Sequence, residues 1–289
     1  MSNRDFSWLS STDKKNKEQL TEFNERLSCF YSELSSRLKY NKLIEGVAID
    51  EELDDVSKSL ISWINENDFR DILEVGCGTG RIRKHLLLEK GEKYTGIEVS
   101  EDIINNNRIE WPMSDWFKQG IYDLSFKPQS FDLVFSVYVL EHLVFPHDAL
   151  EKMYEVTKQG GSMVIIFPDF VKYRILPSQF LGWSFLQSAK EKLKKGKVID
   201  AMLSVYDSKV RLSNAMADLE KTPGRFMINT SPICMDLPEN EDVWSDFDAV
   251  YIASRAEVEN WALSKNMSIN YPGGKDGIFD GHVFIELTK

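Results

Sequence analysis

The chain is short of cysteine. It has three in 289 residues, Cys29, Cys77 and Cys234, far apart and odd in number. That excludes a disulfide framework and the paired spacing of a zinc site, and makes a reducing cytoplasm the expected compartment. There is no apolar run long enough to span a bilayer. Met1 is followed by polar residues rather than by a basic end and an apolar stretch, so no signal peptide and no membrane partner are expected. Positive charge is also scarce: 35 Lys and Arg stand against 46 Asp and Glu, a formal net charge of −11. A nucleic-acid partner would call for a basic face, and none is expected here. The exception, Lys190-Glu191-Lys192-Leu193-Lys194-Lys195-Gly196-Lys197, reads as a solvated helix end. No internal repeat or low-complexity tract is visible.

What the chain does have is Asp71-Ile72-Leu73-Glu74-Val75-Gly76-Cys77-Gly78-Thr79-Gly80. A short apolar run gives way to three alternating glycines, and a helical pattern follows. Strand, glycine turn and helix make a nucleotide-sized crevice at the carboxyl end of a strand. The dinucleotide fingerprint spaces its glycines G-x-G-x-x-G, but here the third position after Gly78 is Arg81. Glu74, two residues before the first glycine, would repel a pyrophosphate and attract a cation. A second acid, Glu98, ends the next apolar run about 20 residues after Gly78, the usual reach of an acid that accepts from ribose hydroxyls. An adenosine-like ligand with a positive tail fits these residues better than a dinucleotide does.

Together with Ser130-Phe131-Asp132-Leu133-Val134 and Val139-Leu140-Glu141-His142-Leu143, these segments resemble the class I S-adenosylmethionine-dependent methyltransferases. The resemblance runs from about Asp50 to Asp169, with a weaker match from about Arg255 to the end. It implies an α/β fold: a Rossmann-like, seven-stranded, mostly parallel sheet with helices on both faces and an antiparallel last strand. It implies S-adenosyl-L-methionine as cofactor and S-adenosyl-L-homocysteine as product. Carried onto this chain, it assigns cofactor binding to Glu74, Gly76, Cys77, Gly78, Gly80, Glu98, Val99, Ile121 and Val137. The family often places an adenine-side Asp where this chain has Gly120. Asp115 and Asp123 are the nearest other carboxylates.

Taken in order, the chain divides into an N-terminal helical region (1–69), a cofactor-binding core (70–169), an inserted substrate cap (170–250) and a segment completing the core (251–289). Leu20, Phe23, Leu27, Phe30, Leu34 and Leu38 form one helical stripe, and 50–67 a second helix. Strands are expected at 71–75, 94–98, 121–124, 131–138 and 162–167, and helices at 80–90, 101–109 and 146–157. Two helical patterns, 182–195 and 198–221, fill the cap. A helix at 255–265 and strands at 268–271 and 282–287 end the chain.

Methyl transfer requires aligned partners, exclusion of water and, for some acceptors, removal of a proton. Candidates for that proton are His142 and Glu141, with Asp169, His147 and Tyr173 beyond them. Metal assistance would need several oxygen ligands, and beside Asp169 no second is evident, so no metal is expected. The expected activity is methylation of an O or N atom of a small polar metabolite, a sugar or secondary metabolite, by a monomer or homodimer. Alternatives are methylation of a protein or peptide side chain and a non-catalytic subunit that keeps the fold. A Rossmann dehydrogenase is the remaining rival.

Overall fold

The computed structural model describes residues 5–32, 53–89, 91–179, 181–184, 188–236, 244–275 and 281–289. The chain divides into two compact units. One comprises residues 44–140, 145–168 and 259–289, and the other residues 1–43, 141–144 and 169–258. The expected N-terminal region and cap therefore fall largely in one unit, where the sequence suggested two separate segments.

The first unit is built on seven strands. Asp71–Val75 (β2), Lys93–Glu98 (β3), Asp115–Lys118 (β4), Phe131–Val137 (β5), Thr157–Pro168 (β6), Ser268–Asn270 (β8) and His282–Thr288 (β9) lie in the order β4-β3-β2-β5-β6-β9-β8. The strands from β4 to β6 pair in parallel, and β9 is antiparallel to both of its neighbours. Ile72, Leu73, Leu133, Val134, Phe135 and the run Met163–Phe167 are buried. Adjacent residues buried on opposite faces are the mark of strands covered on both sides by helices.

The flanking helices start where their sequences provide caps. In Asp55–Asn65 the Asp54 carboxylate accepts the Ser57 N–H at 2.9 Å, and Val56, Leu60, Ile61 and Ile64 are buried. Helix Glu101–Glu110 begins at Ser100, and Pro146–Val156 opens with proline, whose missing N–H has no helical partner in any case.

Two expected elements are corrected. The helix expected over 80–90 is one tight turn, Arg83–His85, because Asn65 intervenes: its side-chain oxygen accepts the Leu87 N–H at 2.9 Å as the chain turns extended at Leu86. Lys90 lies outside the described residues. The strand expected at 121–124 is a turn, Ile121–Asp123, and the β ladder is made earlier by Asp115–Lys118. Of that short edge strand only Trp116 is buried, so its sequence carries almost no apolar alternation.

In the second unit, helix Lys17–Ser32 buries Leu20, Phe23 and Leu27. Leu34 and Leu38, expected on the same stripe, lie outside the described residues. Trp8–Ser10 (β1) pairs antiparallel with Met227–Asn229 (β7), a two-stranded element too short to be read from sequence. The expected helix over 182–195 is a turn at Gly182–Ser184 and a helix Ala189–Lys194 begun by a Ser188/Glu191 capping box, with 185–187 outside the described residues. Helices Val198–Tyr206 and Leu212–Glu220 are joined through one wide turn at Asp207–Arg211. No described helix is long and apolar enough to cross a membrane.

Candidate cofactor cradle and carboxylate cluster

From β2 the chain continues to β3 and β4 on one side, while β5 and β6 lie on the other. The order therefore reverses between β2 and β5, and ligands of open α/β sheets bind at the carboxyl ends of strands at such a reversal. Gly76 to Gly80 leave β2 at that point. The Gly76 and Cys77 N–H groups both donate to the Ile97 carbonyl, at 2.9 and 3.0 Å, and Gly80 donates to Cys77 at 3.0 Å. Asn107 donates to the Gly78 carbonyl at 2.8 Å. The turn is thus fastened to the end of β3 and to the helix that follows it.

Glycine is required here for two different reasons. Gly76 has φ +68°, and a Cβ there would lie 2.5 Å from a Val139 methyl. Gly78 has φ +48°, yet a Cβ there would meet nothing within 4 Å. The turn is open at Gly78, where a ligand can approach the backbone.

Glu98 ends β3. Its carboxylate accepts N–H groups from Val99 at 2.8 Å, Ser100 at 3.3 Å and Gly78 at 3.3 Å. Burial raises its pKa, and these three amides oppose the rise. A carboxylate has about four acceptor positions, so one is left for a ribose hydroxyl. Val99 contributes its backbone and exposes its side chain. Ile121 is buried in the turn after β4, and Val137 ends β5.

Glu74 is enclosed by the sheet. It lies inside β2 and accepts a hydrogen bond from the Tyr94 hydroxyl on β3. Burial pushes its pKa up to about 8, against the Tyr94 bond and with a further push from Glu98. Near neutrality it is mostly a neutral acid. Cys77 is buried beside it, and burial raises its thiol too far for thiolate chemistry.

Glu141 and His142 belong to the second unit, as do Asp169, Asp246 and Asp248. Glu141 is 0% exposed, and neither of its carboxyl oxygens has a hydrogen-bond partner among the described residues. Burial pushes its pKa up to about 8. His142 is partly exposed, with Nδ1 3.5 Å from the buried Asp248 carboxylate. Burial works against its charged form, but Asp248, Glu141 and Asp246 outweigh that and raise its pKa.

Asp169 serves as a cap: its carboxylate accepts the Lys172 N–H at 3.1 Å at the start of Phe170–Tyr173. His147 lies in the other unit, with Asp148 and Glu151 as neighbours, and Tyr173 is 37% exposed. Asp115 and Asp123 are both exposed. Asp246 is the residue that sequence reasoning missed. It is remote from Glu141 in the chain, and only its place in the acidic stretch Glu239–Asp248 could have drawn attention to it.

A parallel sheet whose order reverses beside a side-chain-free turn is a site where ligands of open α/β sheets bind. Residues 73–165 match the family model of the methyltransferase domain. An uncharacterized methyltransferase of Schizosaccharomyces pombe is 28% identical over 145 residues, which cover 46% of this chain and 51% of that protein. A ubiquinone biosynthesis O-methyltransferase of Pseudomonas entomophila is 26% identical over 119 residues, covering 38% and 51%. The chain thus spans about half the length of the curated relatives it matches. Among solved structures, an S-adenosylmethionine-dependent methyltransferase of Thermotoga maritima, described as a possible histamine N-methyltransferase, is 15% identical with a TM-score of 0.47, covering 90% of this chain and 98% of that one. Residues 73–165 are thus similar to a methyltransferase domain.

Proposed function

We propose that the protein transfers a methyl group from S-adenosyl-L-methionine to an O or N atom of a small polar metabolite, releasing S-adenosyl-L-homocysteine. The observation that carries this is the turn at Gly76–Gly80, open at Gly78 and tied by a backbone N–H to Glu98 at the sheet's switch point. The residues present fit the cofactor. Gly78 leaves room for a ligand against the backbone, Glu98 retains an acceptor for a ribose hydroxyl, and Glu74 is an acid that can ionise toward a cation.

When bound, S-adenosylmethionine supplies a methyl group already activated by the positive charge on sulfur. The protein's part is to hold, orient and exclude water. Gly76, Cys77, Gly78 and Gly80 shape the cradle, Glu98 holds the sugar, and Val99, Ile121 and Val137 are assigned to its rim. Glu74, buried and neutral in the free protein, gives up its proton when a cationic ligand lowers its pKa. For acceptors that carry a proton, His142 is the proposed base, its imidazolium form favoured by Asp248. Glu141 and Asp169 are withdrawn from that role, since one is fully enclosed and the other caps a helix.

The likeness to O-methyltransferases of ubiquinone biosynthesis makes oxygen the first acceptor to test. That likeness spans less than half of this chain, so the acceptor is left as a class. The test is S-adenosylhomocysteine release across a panel of phenols, sugars and amines. Turnover with at least one, dependent on Glu98, supports the activity. Cofactor binding without turnover on any of them would favour a binding subunit instead.

A further inference from the structure

Within the second unit, one side-chain atom each from Glu141, His142 and Asp246 come within 4.8 Å of one another. Two observations separate this group from an ordinary acidic patch. Glu141 is wholly buried with both carboxyl oxygens lacking a hydrogen-bond partner among the described residues, and His142 Nδ1, also buried, lacks one there too. A buried polar group without a partner is costly, and native folds supply one in nearly every case.

Protonation does not resolve this. A protonated Glu141 is an O–H donor as well as an acceptor and still needs an acceptor for its hydrogen. Nor does His142 answer it, since its Nδ1 is itself unsatisfied. The carboxylate of Asp248, 2% exposed and 3.5 Å from Nδ1, adds a third acid beside a single imidazole. With the three acids ionised and the imidazole neutral, as coordination requires, three negative charges converge there, and a divalent cation would offset two of them.

We propose that Glu141, His142 and Asp246 form a divalent-cation site. Three donors no more than 4.8 Å apart can share a centre about 2.8 Å from each, so closure by about 0.6 Å reaches the bond lengths of roughly 2.0–2.2 Å that imidazole and carboxylate make to zinc. Two carboxylates with one imidazole suit an ion between Mn2+ and Zn2+ in preference to an all-oxygen magnesium or calcium cage. Asp248 stands ready as a fourth donor or as the group that orients the ring. Three or four protein donors leave coordination positions for water or for an oxygen-bearing ligand. The cation would fasten the turn at Leu140–His142 to the segment carrying Asp246, which the backbone already joins through the Val250 and Tyr251 N–H groups donating to the Glu141 carbonyl at 2.9 Å. An imidazole coordinated through Nδ1 keeps its proton on Nε2. A loaded site therefore does not take a proton through His142, so His142 can serve as the base only in the metal-free protein.

The test uses the full chain, stripped with chelator, and Mn2+ alone as the probe, followed by electron paramagnetic resonance, with Zn2+ as competitor. One Mn2+ per chain at micromolar free concentration is expected, displaced by Zn2+. Glu141→Gln and Asp246→Asn should each weaken binding at least tenfold while keeping the wild-type circular dichroism. Either substitution is close in size, and Asn accepts the left-handed φ of +60° held by Asp246. No binding below millimolar Mn2+ or Zn2+ by folded wild type would overturn the proposal. So would an affinity unchanged in both variants.

Discussion

Glu141→Gln should make the metal-free protein more stable, and increasingly so as the pH rises. In the folded chain burial holds this carboxyl at about 8 instead of 4.5. Below about pH 4.5 the folded and unfolded chains both carry the proton, and the side chain contributes no pH dependence. Between 4.5 and 8 the folded chain keeps a proton that the unfolded chain has released, so unfolding frees a proton and each rise in pH favours it. At about 1.4 kcal/mol per pH unit the full window is worth about 5 kcal/mol, an upper figure for one group. Glutamine keeps the shape and removes the ionisation. The variant should match wild type near pH 5 and exceed it by about 2–4 kcal/mol at pH 8, once the hydrogen bonding of the new amide is allowed for. Part of the raised pKa of His142 comes from Glu141; that part is absent from the variant, and its loss adds to the same trend. Urea unfolding in chelator at pH 5, 6.5 and 8 measures this. A difference between variant and wild type that does not change with pH would refute a buried, partnerless acid at this position.

Gly76→Ala should cost about 2–4 kcal/mol, from the left-handed φ and the 2.5 Å approach to Val139. Adding Val139→Ala should recover the steric part and leave the backbone part, as read by a double-mutant cycle in denaturant. Tyr94→Phe removes the donor to the Glu74 carboxyl, so stability should fall by about 1–3 kcal/mol. In that variant the Glu74 pKa, followed by NMR of the carboxyl carbon, should move further up. His142→Ala should lower kcat at least tenfold for hydroxyl acceptors near neutral pH, with little change in cofactor affinity. Full turnover in that variant would move proton removal to water or another residue.

Much of the cradle could be read from the chain because local chemistry specifies it. Glycines at 76, 78 and 80 answer to backbone geometry, and β2 and β5 are apolar runs buried on both faces. β4 could not be read, since only Trp116 of its four residues is buried and the apolar signal at Ile121 belongs to a turn. The lost helix after Gly80 depends on a contact from Asn65, which no local pattern reveals. Glu74 is expected from the sequence as a cofactor-side acid, but its burial and its bond to Tyr94 depend on the pairing of two strands. The group around Glu141 was half visible. Glu141-His142 stood out as a pair, whereas Asp246 joins it only through the fold of the inserted segment.

The most direct measurement is a calorimetric titration of S-adenosylmethionine and S-adenosylhomocysteine into the full chain and into Glu98→Ala. One molecule per chain should bind the wild type at micromolar concentration. Loss of the sugar's acceptor and of the tie to Gly78 should weaken binding at least tenfold, about 1.4 kcal/mol or more. A folded wild-type chain that takes up neither ligand at millimolar concentration, or binding left unchanged by Glu98→Ala, would contradict a cofactor cradle at Gly76–Gly80 and Glu98.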